Sequence, residues 1–260
     1  IAWCVLYAGY YVLSRGDSFS QMALNILHIP VNFGCEIGHL WYIYMLIGLY
    51  LLTPIISPWL QQASKRELEG YLGLWIITTF IPYIHLVYPE VLGEAFWNDT
   101  PLLYYFTGFI GYFILGYYLK RFGYPSAALS WIILIVGFAL SAGIFCSRID
   151  TVPTVPELEL SWGFCTVNVF LMTLGLFSLI GRLSLKGKNA ACKLLSDISV
   201  KSYGMYLAHI LFLNFYYGLF KSISDAAYVT IPLIAVCTFI TVYIFVYLLS
   251  YLPKSKYIIG

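Results

Sequence analysis

The sequence has 260 residues, of which 61% are hydrophobic and only 10% are charged, whereas a soluble domain carries about 25% charged residues. A water-soluble fold would expose an implausibly large apolar surface, so the composition excludes that class and predicts a polytopic membrane protein surrounded by lipid. The net charge of +2 says little by itself, and no nucleic-acid partner is expected.

The chain opens with an apolar stretch, from Ile1 to Ser14, that is too short to cross a bilayer core about 30 Å thick. It starts with isoleucine and lacks the charged flank that a signal peptide needs. We expect the sequence to begin inside a helix, with more of the natural protein before it. Seven longer runs without a charged residue follow: 38–60, 71–88, 102–119, 125–147, 163–181, 202–220 and 226–252.

Each run is near the roughly 20 residues that a spanning helix requires, and period-two alternation is absent. Because every backbone amide in lipid needs a partner within the protein, helices are the expected form. The sequence therefore predicts an all-α fold, a polytopic transmembrane helical bundle with seven full spans and one truncated N-terminal span. We expect a single integral-membrane domain over residues 1–260.

Local patterns predict details of this bundle. Residues 18–29 are expected to form a short amphipathic helix along the outer surface. A tight turn at 120–125 predicts that the helices on either side of it are antiparallel neighbours. Small residues four positions apart in the second of these helices allow helix backbones to approach closely: Gly137 with Ser141, and Ala139 with Gly143.

The distribution of charge predicts the orientation of the chain. If the loops alternate sides, eleven of the fourteen lysine and arginine residues fall on one side of the membrane. Nine of the twelve acidic residues fall on the other side. Basic residues mark cytoplasmic loops, so we expect a cytoplasmic C-terminus and outer loops at 15–37, 89–101, 148–162 and 221–225.

No charged side chain lies within a predicted span, so polar chemistry must come from other groups. His39 lies at the outer end of the run 38–60, with Glu36 one turn away. A histidine there suits a base or an orienting group at an outer cavity. The alternative is an interfacial histidine that caps the helix, and residue type alone favours it.

His209 lies mid-span in the run 202–220, in a partly polar stripe with Ser202 and Tyr206. Such a stripe should face other helices or water, and a functional role and an interhelical hydrogen bond are equally compatible with it. Aromatic side chains that line a cavity suit stacking on sugar rings. The candidates for an acceptor cavity are Glu36, Trp41, Tyr42 and Tyr206.

Lys120 and Arg121 form a positive patch at the predicted cytoplasmic face. They serve either topology and anionic lipid or the phosphates of a cytoplasmic donor. The four histidines lack metal-ligand spacing, so no metal site is predicted.

Three segments together resemble the acyltransferase 3 family of integral-membrane O-acyltransferases. The first is His39-Leu40-Trp41-Tyr42 leading into Leu46-Ile47-Gly48-Leu49-Tyr50-Leu51-Leu52-Thr53-Pro54. The second is Gly111-Tyr112-Phe113-Ile114-Leu115-Gly116-Tyr117-Tyr118-Leu119. The third is Ser202-Tyr203-Gly204-Met205-Tyr206-Leu207-Ala208-His209.

The resemblance implies ten core helices, of which this chain would hold the third, truncated, to the tenth, in a bacterial-type cytoplasmic (inner) membrane. It also implies transfer of an acyl group, commonly acetyl from acetyl-CoA, to a hydroxyl of an extracytoplasmic glycan or lipid-linked sugar. No bound cofactor is implied, since acyl-CoA is a co-substrate. The family's essential arginines and histidine on and after its first helices would precede Ile1.

The leading hypothesis is therefore a membrane acyltransferase with His39 and His209 as catalytic candidates and Lys120 and Arg121 as donor-binding candidates. His39 would orient the acceptor or assist its deprotonation. His209 would hydrogen-bond the thioester or the upstream histidine. The alternative is a transporter or flippase of lipid-linked sugars without chemistry, and a third class is a sensor or scaffold with an attached soluble domain.

Overall fold

The computed structural model describes residues 2–30, 38–91, 102–183, 189–223 and 226–259, which form helices and loops without a β-strand. Short 3-10 turns at Gly38–Leu40, Tyr104–Phe106 and Glu159–Trp162 precede helices or link them. The α-helices are α1 (Ala2–Arg15), α2 (Phe19–His28), α3 (Trp41–Gln62), α4 (Lys65–Thr78), α5 (Ile81–Ile84), α6 (Phe109–Phe122), α7 (Ala127–Arg148), α8 (Val155–Leu158), α9 (Val167–Gly181), α10 (Ala190–Lys221), α11 (Ala227–Leu249) and α12 (Lys256–Ile259). The predicted all-α class is confirmed.

Three helices in the described parts of the chain are long and apolar enough to cross a membrane: Gly38–Gln62, Ala127–Arg148 and Ala227–Leu249. A fourth crossing arises if Val155–Trp162 and Val167–Gly181, bent by 42°, count as one span. The predicted number of seven full spans is not confirmed. The run 71–88, for example, divides into α4 and the single turn α5.

Contacts divide the chain into two compact units, Ile1–Ile47 with Leu185–Gly260, and Gly48–Ser184. We call them the terminal unit and the central unit. The terminal unit packs α10 on α11 and α12, and α1 on α2. Gly204 makes the first of these contacts close, because a Cβ atom there would lie 2.9 Å from the Cβ of Ile259 and 3.0 Å from the Cγ1 of Val246.

The predicted amphipathic helix at 18–29 is α2, which spans Phe19–His28 and has Ser18 as its N-cap. The Ser18 hydroxyl accepts a hydrogen bond from the amide of Gln21, at 3.2 Å, as an N-cap. At the other end of the unit α10 starts well before the run 202–220, because Asn189 caps it by accepting from the amide of Cys192 at 2.8 Å.

In the central unit α7 packs along α9, and α6 packs on α4. The antiparallel arrangement predicted for the helices that flank the 120–125 turn, α6 and α7, stays a prediction. Glycine makes the contact between α7 and α9 close, since a Cβ at Gly137 or Gly175 would come within 2.7 Å of backbone atoms of the facing helix. Gly137 confirms the predicted close approach, whereas a Cβ at Gly143 would meet no described atom within 4 Å.

A polar contact joins the same two helices. Asn168 of α9 is fully buried, and its Nδ2 donates to the hydroxyl of Ser141 at 2.6 Å and to the carbonyl of Ser161 at 2.8 Å. The hydroxyl of Tyr83 donates to Asn168 Oδ1 at 2.6 Å. Buried amides need such partners, so this network fixes the register of α7 and α9.

The central unit also shows how α4 begins. Ser64 and Glu67 form a capping box, in which each side chain accepts from the backbone amide of the other residue. Hydrogen bonding of the Glu67 carboxylate with the side chain and the backbone amide of Ser64 lowers the pKa of Glu67. On α6, Gly111 lies directly against the indole of Trp75, a buried residue whose Nε1 donates to the carbonyl of Gly108 at 3.0 Å.

Candidate functional site

Two histidines meet in the terminal unit. His39 belongs to the 3-10 turn Gly38–Leu40 that leads into α3, and the buried side chain of Leu40 anchors this turn in the core. His209 belongs to α10. The two imidazole rings lie edge to face, with centroids 5.2 Å apart and planes at 84°. The structure therefore brings together the two residues that the sequence predicted as catalytic.

Tyr206 connects the two histidines through two different groups. Its hydroxyl donates a hydrogen bond to the main-chain carbonyl of His39. Its own main-chain carbonyl lies 2.6 Å from Nδ1 of His209. One residue thus holds the backbone of the first histidine and the ring of the second.

The second contact determines which nitrogen of His209 carries hydrogen. A carbonyl oxygen only accepts, so Nδ1 must be the donor. In the neutral imidazole Nε2 then carries the lone pair and can take up a proton. Within the described residues Nε2 makes no hydrogen bond, and His209 therefore presents a proton acceptor.

His39 presents a second available nitrogen. Its Nε2 is buried and has no hydrogen-bond partner among the residues that the structure describes. An unpartnered buried polar atom is destabilising by about 1–3 kcal/mol. A group that hydrogen-bonds to this nitrogen would remove that penalty, which is a property expected of a binding site.

Tyr7 is a site residue that sequence reasoning missed. Its ring is fully buried and lies edge-on to the ring of His39, with centroids 4.9 Å apart. Its hydroxyl donates to the carbonyl of Leu207 at 2.9 Å, which ties α1 to α10. The spacing of Trp3, Tyr7 and Tyr11, four residues apart and all buried, was the available signal for a helix face directed at the core.

The acceptor-cavity candidates divide into three cases. Tyr42 and Tyr206 lie together, with ring centroids 5.2 Å apart at 63°. Trp41 packs edge-on against the neighbouring Tyr42, at 6.2 Å and 86°. Glu36 lies outside the described residues. An aromatic group therefore adjoins the histidine pair on the Tyr206 side.

The donor-binding candidates belong to the central unit. Arg121 donates from Nη1 to the carbonyls of Leu60, at 2.9 Å, and Ala63, at 3.2 Å, and so binds the C-terminal end of α3. Lys120 lines a groove of about 340 Å³ together with Gln61 and other residues of α3 and α6. Arg121 thus has a structural role, while donor contact stays a prediction for both residues.

The long apolar helices indicate a helical membrane protein. The contact between His39 and His209 gives one of its units a polar site. The model of the acyltransferase 3 family, described as an acyltransferase domain, matches residues 1–251. The chain therefore belongs to this family, and membrane acyl transfer is the class of activity that membership indicates. No curated protein and no solved structure matches the chain.

Proposed function

We propose that this protein is a membrane O-acyltransferase that moves an acyl group, in the first instance acetyl, from a cytoplasmic acyl-CoA. The acceptor is a hydroxyl of an extracytoplasmic glycan or lipid-linked sugar. Family membership supports acyl transfer. The observation that carries the residue assignment is the pairing of His39 and His209 at 5.2 Å, with an available ring nitrogen on each.

His209 is proposed as the base, because its Nδ1 donates to the Tyr206 carbonyl and leaves the lone pair on Nε2. In the proposed reaction the acceptor hydroxyl gives its proton to Nε2 of His209 as its oxygen attacks the thioester carbonyl carbon. The new C–O bond forms, the C–S bond breaks, and the proton passes on to the thiolate sulfur. The products are the O-acyl sugar and free coenzyme A thiol.

His39 is proposed to orient the acceptor by hydrogen-bonding a second sugar hydroxyl through its buried Nε2. The rings of Tyr42 and Tyr206, 5.2 Å apart, suit contact with the apolar face of a sugar. On the donor side, Lys120 is proposed to attract the phosphates of coenzyme A. These assignments need an inner-membrane orientation with a cytoplasmic C-terminus, which reporter fusions at the C-terminus would test.

The test is an acetyl-transfer assay on the protein expressed from its complete gene, in membranes, with labelled acetyl-CoA and the cell's own surface glycans. We expect His209→Ala to lower the rate at least about 100-fold, as for loss of a general base. His39→Ala should lower it as well. His28→Ala changes an exposed histidine of α2 and serves as the matched control.

Full activity in both His39→Ala and His209→Ala would remove the two assignments. Movement of a lipid-linked sugar across the membrane without any acyl transfer would instead support the transporter alternative.

A further inference from the structure

A groove between α10 and α11 runs beside His209. We call it the α10–α11 groove, and its volume is about 400 Å³, within the size range of small-molecule sites. On α10 its lining extends from Ile198 to Leu213, a distance of about 22 Å at the helical rise of 1.5 Å per residue. The wall is apolar apart from Ser202, Tyr206, His209 and Thr238.

Thr238 is the unusual member of this wall. It lies at the middle of α11, is only 6% exposed, and its hydroxyl has no hydrogen-bond partner among the described residues. A threonine in a helix can satisfy its hydroxyl with the carbonyl four residues earlier. Thr53 does so with Leu49 at 2.7 Å, and Thr230 with Ala226 at 3.2 Å.

Two of the four polar groups in the groove are already engaged. The Ser202 hydroxyl donates to the carbonyl of Ser199 at 2.8 Å, and the Tyr206 hydroxyl donates to His39. The groove therefore offers a ligand one free hydroxyl donor, on Thr238, and one proton acceptor, Nε2 of His209. A matching ligand has a hydrogen-bond acceptor for Thr238 and an apolar chain for the wall, and it reacts with a hydroxyl whose proton His209 can take up.

We propose that the α10–α11 groove holds the hydrocarbon chain of the acyl-CoA donor and that the Thr238 hydroxyl donates a hydrogen bond to the thioester carbonyl oxygen. This inference rests on the proposed acyl transfer and extends it to acyl chains longer than acetyl. A lipid tail or a polyisoprenyl chain would leave the hydroxyl of Thr238 unpartnered at mid-helix. Charge that develops on a thioester oxygen during attack would instead strengthen this hydrogen bond.

The site is tested first by labelling, independently of turnover. The protein from its complete gene is placed in nanodiscs and photolabelled with an octanoyl-CoA that carries a diazirine at the chain end. We expect label on groove residues of α10 or α11, displaced by unlabelled octanoyl-CoA. Ala235→Phe, which fills the groove, should reduce labelling at least about fivefold. Val236→Phe, at the adjacent exposed position that does not line it, should not.

The carbonyl contact is tested by turnover. Thr238→Val keeps the side-chain shape and removes the hydroxyl, so kcat should fall on the order of 100-fold, with unchanged protein yield and melting temperature. Thr238→Ser should restore most of the rate. Thr230→Val, which removes a hydroxyl that is bonded within its own helix, is the control.

The outcomes separate this inference from the proposed function. Groove labelling without any acyl transfer would support the chain site and overturn the transfer chemistry. Two results together would overturn the site and leave the proposed acyl transfer intact. They are a normal transfer rate in Thr238→Val and groove labelling that Ala235→Phe does not reduce. Displacement of the label by a polyisoprenyl phosphate but not by octanoyl-CoA would also overturn it.

Discussion

The imidazole rings of His39 and His209 lie edge to face at 5.2 Å, although one belongs to the turn before α3 and the other to α10. Tyr206 fixes this relationship, because it binds the carbonyl of His39 through its hydroxyl and Nδ1 of His209 through its carbonyl. A site built in this way depends on one tautomer of His209 and on one tyrosine hydroxyl. Both dependences can be tested by substitution.

His209→Asn separates the base from the structural contact. The asparagine amide can still donate to the Tyr206 carbonyl, as Nδ1 does at 2.6 Å, but it has no group that takes up a proton at neutral pH. We expect acyl transfer to fall at least about 100-fold while the melting temperature stays within error of the unchanged protein. Transfer assays and thermal unfolding in detergent measure the two effects. Wild-type transfer rates in His209→Asn would contradict the role of base.

Tyr206→Phe removes the hydroxyl that holds the His39 carbonyl. Loss of one such hydrogen bond is expected to lower the free energy of unfolding by about 0.5–1.5 kcal/mol. Because His39 then loses a constraint on its position, KM for the acceptor should rise more than kcat falls. Tyr228→Phe, at a tyrosine that is 84% exposed in the same unit, should change neither quantity. An equal effect of the two substitutions would show that the His39 contact is unimportant.

The sequence was sufficient to predict the long apolar helices, but it was not sufficient to predict the short ones. The runs 125–147 and 226–252 correspond closely to α7 and α11. The absence of charged residues is a poor guide to helix boundaries. It fails where a helix includes charged residues, as α4 does from Lys65. It also fails where the chain turns at glycine, as it does before α6 at Gly108, which has a φ of +83°. Hydrophobicity reports contact with lipid, whereas caps and turns decide where a helix ends.

The same limit applies to the site. His39 and His209 were predictable as polar residues in apolar surroundings, but their meeting depends on long-range packing that no local pattern encodes. Tyr7 and Thr238 escaped notice because the chain holds 24 tyrosines and because a threonine in an apolar helix is ordinarily bonded within the helix. Only the structure shows that Tyr7 packs against His39 and that the hydroxyl of Thr238 has no hydrogen-bond partner among the described residues.

Gly175→Ala should destabilise the central unit. A Cβ at this position would lie 2.7 Å from Ser130 O and Leu134 N of α7, and such overpacking is typically destabilising by about 1–3 kcal/mol. Gly143→Ala is the matched control, since its Cβ would meet no described atom within 4 Å and alanine favours a helix by up to about 1 kcal/mol over glycine. Thermal unfolding should show a lower melting temperature for the first variant and an equal or higher one for the second. Equal losses in both would contradict the close approach of α7 and α9.

The stability of the folded protein at acidic pH should depend on Asp197, which precedes the predicted span 202–220. Hydrogen bonds from Lys201, and then from Tyr243 of α11 at 2.6 Å, lower the pKa of Asp197 below its ordinary value of 3.8. Near and below pH 4 the unfolded chain therefore binds more protons at this carboxyl than the folded chain does. The stabilisation is fully present above the ordinary pKa and is lost as the pH falls through the folded one.

Asp197→Asn removes this contribution at every pH. The melting temperature of the unchanged protein should thus exceed that of Asp197→Asn at pH 6–7, and the difference should shrink as the pH falls from about 4 towards 3. Asp150→Asn, which removes an exposed carboxylate of the central unit, should leave a small difference without that trend. A melting-temperature difference for Asp197→Asn that stays constant between pH 7 and pH 3 would show that Lys201 and Tyr243 do not stabilise the ionised carboxylate of Asp197 in the folded protein.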